Sequence, residues 1–233
     1  GKLKSASGLV GTDGEKMHAA REAGTLLCGK FIGKVMEKAL KTGESNACMK
    51  RIVAAPTAGS CGVVPAVFLT LEEEKHFSEE KMVEALYVAA GIGGVIANRA
   101  FLAGAAGGCQ AEIGSASAMA AGGVAYLMGG DAVQISHAAA LALKNLLGLA
   151  CDPVAGLVEV PCVKRNVMGA VNAMTSSDMV MAGITSKIPP DEVIDAMRAI
   201  GRSMSEDIRE TGKGGLAGTP TGVAIRERMA GTL

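Results

Sequence analysis

The sequence predicts an all-α fold, a single compact helical domain with glycine-rich loops spanning residues 1–233. Apolar residues recur at three- and four-residue spacing along several stretches, and no stretch sustains the period-two alternation of a half-buried strand. The chain holds 32 glycines, no Trp and only 3% aromatics. Such small side chains let helices pack at short interaxial distance. A hydrophobic content of 49% over 233 residues is enough for a substantial core, within the length range of one large or two small domains.

Residues 13–42 read as one long helix or two. Met17, Leu27, Phe31, Val35 and Leu40 fall near helical spacing, and Lys16, Arg21, Lys30, Lys34 and Lys38 can face water. His18 on this stretch reads as a surface or satisfied core residue, and Cys28 and Cys48 as structural. Thr42 to Asn46 reads as a turn. Residues 66–77 form a helix ending in a solvated charged run, and residues 78–100 another, with Ser78 as N-cap. Gly91, Gly93 and Gly94 interrupt it; each costs a helix roughly 1 kcal/mol, which points to a packing role.

From Ile113 to Gly130 runs a stretch of eighteen uncharged residues, weakly apolar because of its glycines and serines. It reads as a buried central helix rather than a membrane span. Asp131 to Leu149 is the next helix, and a Met- and Ala-rich helix follows Asn166 as far as about Gly183. Pro189-Pro190-Asp191-Glu192 opens the last clear helix, with Val193, Met197, Ile200, Met204 and Ile208 on one face. Thr211-Gly212 is expected to end it, leaving GKGGLAGTPTG as a flexible segment. No internal repeat is visible.

The 23 basic and 23 acidic residues cancel, so charge gives no argument for nucleic acid or an anionic membrane as partner. Six cysteines without close pairing, and a start without an apolar signal region, suggest a reducing cytoplasm.

Chemistry concentrates in three stretches. The segment CDPVAGLVEVPC, Cys151 to Cys162, carries two prolines and is poor material for a helix interior. It reads as a shaped loop that brings two thiols to one place. Cys109 follows Gly107 and Gly108 in GGCQAEIG. These three cysteines read as ligands for a soft metal centre or, one by one, as small buried fillers. Their spacing lacks the tight pair usual in zinc sites. The run IVAAPTAGSCGVVP, residues 52–65, reads either as a carboxylate-binding loop, with backbone amides and small hydroxyls as donors, or as a tight turn between helices. No Gly-Lys-Ser/Thr follows, so it is not a Walker loop.

The stretches APTAGSCGVVPA (55–66), AGAAGGCQAEIGSASAMAAG (103–122) and CDPVAGLVEVPCVKRN (151–166) resemble the catalytic domain of the iron–sulfur-dependent L-serine dehydratases, and most closely the alpha subunit of the two-subunit type. The likeness runs from SGLVGTDG to ETGKGGLAGTPTG. It implies that Cys109, Cys151 and Cys162 hold a [4Fe–4S] cluster and that the substrate L-serine lies against Thr57, Ala58, Gly59 and Ser60. It implies no need for pyridoxal phosphate. Three protein thiolates, in place of the usual four, would leave one iron free to act as a Lewis acid on the leaving hydroxyl. Loss of the Cα proton and of hydroxide would give an enamine that tautomerises and hydrolyses to pyruvate and ammonia.

Ser60 or Cys61 is the candidate base, the latter only with a lowered pKa. Lys164, Arg165 and Asn166, directly after a ligand, are candidates for hydrogen bonds to cluster sulfur or substrate, with an ordinary surface role as the alternative. Glu112, three positions past Cys109, is expected to support the ligands from behind. Family members commonly carry an acidic residue where Ala106 stands here. The resemblance also implies an earlier start than Gly1, an oligomer, and a beta subunit whose Ser-Ser-His-Thr motif this chain lacks. Two other readings fit the residues: a zinc protein using the three cysteines and His137, and a non-catalytic serine- or iron-sensing subunit of the same fold.

Overall fold

A computed structural model describes residues 3–231; residues 1–2 and 232–233, the ends of the expected 1–233 domain, lie outside it. Ten α-helices form the described chain: α1 Asp13–Glu22, α2 Gly29–Ala47, α3 Val63–Lys75, α4 Glu79–Arg99, the single turn α5 Gly104–Gly107, α6 Ser115–Leu127, α7 Ala132–Lys144, α8 Cys162–Met181, α9 Pro190–Ser203 and α10 Pro220–Ala230. A π-helical turn, Gln110–Gly114, precedes α6. No strand occurs among the described residues, only an isolated parallel bridge between Cys151 and Arg209. The fold is all-α, as expected.

The uncharged stretch becomes α6 at the centre, where every residue from Ser115 to Ala125 is buried. Helices α3, α4, α7 and α8 surround it. Close packing depends on missing side chains: a Cβ at Gly123 would stand 2.3 Å from the Phe68 ring, and one at Gly93 would stand 2.9 Å from Met119 Sδ. Gly93 is thus the glycine of α4 with a packing role, whereas Gly91 and Gly94 face open space. Two of the core hydroxyls tie α6 to α8. Ser117 donates to the Gly169 carbonyl and Ser177 to the Ala121 carbonyl, each at 2.8 Å. No helix among the described residues is long and apolar enough to cross a membrane.

Several expectations are corrected. Helix α2 runs through the Thr42–Asn46 turn, because Thr42 and Ser45 donate back to the Lys38 and Lys41 carbonyls within the helix. Leu27 is fully exposed in the connection between α1 and α2, and Cys28 is exposed beside it. Helix α8 begins at Cys162 itself rather than after Asn166. Helix α9 stops at Ser203, well before Thr211-Gly212. The C-terminal glycine-rich segment is folded: it forms a short 3-10 turn, Gly215–Gly218, and then α10, capped by the Thr219 hydroxyl. Ser78 caps α4 as expected, accepting from Lys81 N. Asp131 and Gln134 form a reciprocal capping box on α7.

Helix α1 is held against α2 by buried acids. His18 and Arg21 both contact Glu37, at 3.1 and 2.9 Å. Thr12 makes no side-chain cap on α1; instead Glu44, from α2, accepts from Asp13 N at 2.6 Å and Gly14 N at 3.3 Å. Glu44→Ala leaves both amides without that partner. It is expected to cost about 1–2 kcal/mol, measured as a lowered chemical-denaturation midpoint, with local fraying of α1 visible as faster amide exchange.

Candidate active site

The three motif stretches meet beneath the N-terminal end of α8. Cys109, Cys151 and Cys162 are all buried, and all six cysteines of the chain are free thiols. Each of the three is placed by a different device. Cys109 is set by its neighbour Gln110, which is wholly buried. The Gln110 amide donates to the Gly107 and Met197 carbonyls at 2.9 and 3.1 Å, and its oxygen accepts from Gly148 N at 3.0 Å. Cys151 is held through its backbone, donating to the Ile208 carbonyl at 2.8 Å and accepting from Glu210 N at 2.7 Å. Cys162 opens α8.

The loop between Cys151 and Cys162 is clamped from both ends of the chain. Buried Asp152 accepts from Arg165 and from Leu216 N, each at 2.8 Å, which ties it to the C-terminal segment. A Cβ at Gly215 would stand 2.4 Å from the Asp152 carboxylate, so only glycine allows the approach. Buried Glu159 accepts from Ser5 and Ser7 at 2.7 and 2.6 Å, which ties it to the N-terminal segment. Sequence reasoning passed over Gln110, Asp152 and Glu159. Their signal was a polar residue beside a cysteine or inside an apolar loop, which acquires meaning only once the group is seen to be buried.

Cys109 and Cys151 lie within hydrogen-bonding reach, and the Arg165 side chain reaches Cys109. The Cys151 thiol and then the Arg165 charge hold the Cys109 thiol below its ordinary range, against the opposing effect of burial. Cys151 moves the other way, first because it donates to Cys109 and then because it is buried. Cys162 is pushed up to about 12, by burial and then by the negative charges of Cys109 and Glu112. Of the three thiols, Cys109 is the one whose neighbours favour the charged form. No three His, Cys, Asp or Glu side chains among the described residues draw together as a site for a single metal ion.

The 52–65 run lies alongside. Thr57 donates to Glu112 Oε1 at 2.7 Å, joining this loop to the π-helical turn that follows Cys109. The amides of Cys61, Gly62 and Val63 are committed to the Ala58 carbonyl, Asn166 Oδ1 and the Ser60 carbonyl. The three preceding amides, of Ala58, Gly59 and Ser60, donate to no described residue. Consecutive N–H groups without protein partners just ahead of a helix are donors that an anion can use. Glu112 is 9% exposed, and burial raises its pKa against the lowering effect of the Thr57 hydrogen bond.

The remaining sequence candidates separate. Asn166 is 2% exposed and fully engaged: Oδ1 accepts from Gly62 N at 2.8 Å, and Nδ2 donates to the Gly59 and Cys162 carbonyls at 2.8 and 2.9 Å. It fastens the loop to the cysteine rather than reaching toward a ligand. Lys164 points to the outside of α8 and pairs with Asp13 at 2.6 Å, away from the thiols. Arg165 faces inward, to Cys109, Asp152 and the Ala150 carbonyl. Ser60 is fully buried, with Oγ 3.1 Å from Thr57 Oγ1. Cys61 is also fully buried, turned toward the Thr42 carbonyl of α2, and burial pushes its thiol up to about 11. That is the opposite of the lowered pKa that a thiolate base requires. His137, the fourth ligand of the zinc reading, is turned to the α8–α9 connection, where Nδ1 accepts from Ser186 N at 3.1 Å. Ala106 is half-buried on α5.

Residues 1–217 match the family described as serine dehydratase alpha chain. The chain belongs to that family. It is 53% identical over 229 residues to a probable L-serine dehydratase alpha chain of Bacillus subtilis (strain 168), covering 98% of this chain and 76% of that one. It is 49% identical to the L-serine dehydratase alpha chain of Peptoniphilus asaccharolyticus, over 88% of this chain and 70% of that one. An L-serine dehydratase of Escherichia coli (strain K12) is 41% identical over 77% of this chain, and the match takes up only 40% of that longer protein. In this family member the three motif stretches that carried the resemblance are the same stretches that meet at the thiols.

Asn166→Ala removes one side chain that serves three backbone groups of the site. A loss of about 2–3 kcal/mol is expected, because the buried Gly62 N–H is left without a partner. Chemical denaturation measures the loss. Limited proteolysis should then cut within residues 56–62 before any other segment.

Proposed function

We propose that this chain is the catalytic alpha chain of an L-serine ammonia-lyase, converting L-serine to pyruvate and ammonia with a [4Fe–4S] cluster. The observation that carries the reading is the placement of an anion cradle of free amides, at Ala58, Gly59 and Ser60, next to three buried thiols, with Glu112 between them. The donor set fits a thiolate-held cluster: three buried sulfurs, positive support from Arg165, and space kept by Gly104. A Cβ at Gly104 would stand 2.7 Å from Cys151 Sγ. Cluster ligands sit on separate irons and need not converge on one point, in keeping with thiols that are grouped without forming a single-ion site.

In this reading Cys109, Cys151 and Cys162 hold the cluster, which when bound supplies Lewis acidity toward the Cβ hydroxyl. The amides of residues 58–60 receive the substrate carboxylate, and the Thr57 hydroxyl borders it. Asn166 keeps the loop at its distance from Cys162, and Arg165 balances the negative charge of the thiolates. Cys61, held as a buried thiol, takes no part in moving the Cα proton. Ser60 remains the hydroxyl nearest the cradle. The proton acceptor is assigned to a partner beta chain, and the alpha-chain names of the relatives support the existence of such a partner.

The test is anaerobic purification, with and without a co-expressed beta chain, with iron, sulfide and pyruvate formation measured together. About four irons and four sulfides per chain are expected, with activity lost in air. Cys151→Ser should lose cluster and turnover together, whereas Cys61→Ala should retain at least about half of the activity. Zinc without sulfide would overturn the cluster assignment. A full cluster with serine bound but not turned over, even with the beta chain present, would favour a sensing subunit.

A further inference from the structure

Glu112 is a buried carboxylate at this site with no ion pair and a single hydrogen-bond donor among the described residues. Its Oε1 accepts from Thr57 at 2.7 Å, while Oε2 accepts from no described residue. It forms no ion pair, although Arg165 is close enough to the same thiols to support Cys109. That guanidinium is spent on Asp152, Cys109 and the Ala150 carbonyl. Elsewhere in this fold buried acids are satisfied. Glu37 pairs with Arg21 and Lys41, Glu44 accepts from two amides, and Glu159 from two hydroxyls. Glu112 Oε2 is therefore left with room for a further donor.

Two glycines let Oε2 lie close against their backbone. A Cβ at Gly59 would stand 3.0 Å from Oε2, and one at Gly104 would stand 3.1 Å from it. Gly59 is also the middle residue of the free-amide cradle. An anion site made of N–H groups and a lone carboxylate therefore face each other across a single glycine. A small zwitterion whose negative and positive groups sit on one carbon is the ligand class that satisfies both at once.

We propose that the Glu112 carboxylate binds the α-ammonium group of the amino-acid substrate, while the amides of Ala58, Gly59 and Ser60 hold its α-carboxylate. The assignment rests on the serine dehydratase reading and adds to it the device that distinguishes an α-amino acid from an α-hydroxy acid. The two contacts fix Cα and leave Cβ, with its hydroxyl, to be directed toward the thiols. Thr57 orients the Glu112 carboxylate through Oε1 and leaves Oε2 for the ammonium group. Glu112 is thus a binding and specificity residue, and no proton transfer is required of it.

The experiment compares L-serine with L-glycerate, which keeps the carboxylate and Cβ hydroxyl but carries a hydroxyl in place of the ammonium group. The anaerobically purified protein with its beta chain is used, as wild type, Glu112→Gln and Glu112→Asp. KM for L-serine is measured alongside calorimetric binding and competitive inhibition by L-glycerate, with iron and sulfide content as a control. Glutamine keeps the acceptor for Thr57 and removes only the charge. Glu112→Gln is expected to raise KM for L-serine about 30-fold or more, the scale for removing one partner of a buried charge pair. It should leave L-glycerate binding within about threefold and the cluster intact, with Glu112→Asp intermediate. Equal losses for both ligands, an unchanged KM for L-serine, or loss of iron and sulfide in Glu112→Gln would each overturn the assignment. If the wild type forms pyruvate from L-serine and only this comparison fails, the ammonium assignment alone is wrong. If the wild type binds neither ligand, the serine reading fails and this one with it.

Discussion

A polar, glycine-rich loop can lie in a protein interior only when the backbone groups it carries there find partners. Here one side chain meets the part of that demand that joins the loop to α8. The Asn166 amide ties Gly62 N–H, the Gly59 carbonyl and the Cys162 carbonyl together. The loop of residues 56–62 and the first turn of α8 are therefore a single unit, and the free amides of residues 58–60 keep a set distance from the cysteine. Without that clamp neither an anion cradle nor a grouped set of thiols would hold its position.

Around this unit the fold uses rigid supports and long-range tethers. The central α6, buried over almost all of its length, carries the π-helical turn and Cys109 at its N-terminal end. Such turns recur where a helix must aim side chains at a site. The cysteine loop is irregular and has no helix ladder to stiffen it. Its two buried acids accept instead from opposite ends of the polypeptide, Ser5 and Ser7 for Glu159 and Leu216 N for Asp152. Both terminal segments thus belong to the architecture of the site although neither supplies one of its thiols.

The electrostatics of the site follow from which charges are answered. Arg165 answers Cys109 and Asp152. The burial that lifts Cys61 and Cys162 has nothing to oppose it but weak backbone contacts and, for Cys162, the charge of Arg165. Glu112 has only a hydroxyl. Grouped buried thiols on one side, and on the other a carboxylate held only by Thr57, leave both sides with acceptors for positively charged occupants. That agrees with a metal cluster on the thiol side and an ammonium group on the carboxylate side.

The helical fold, the order of the elements, the Ser78 cap and the three motif stretches were legible in the sequence, because helical periodicity and capping are local and the motifs are contiguous. The all-α outcome and the family follow from that information alone. What the sequence could not supply was the state of each polar group, since this depends on partners tens of positions away. Lys164 and Arg165 are neighbours of the same charge, yet on α8 one faces Asp13 outside and the other Cys109 inside. Cys61 resembles a reactive thiol in its motif, and only its burial against α2 shows it held as a thiol. The C-terminal glycines read as a flexible tail until Asp152 is seen to require their close approach. Periodicity decides which residues are helical, but burial and pairing are decided by how the helices meet.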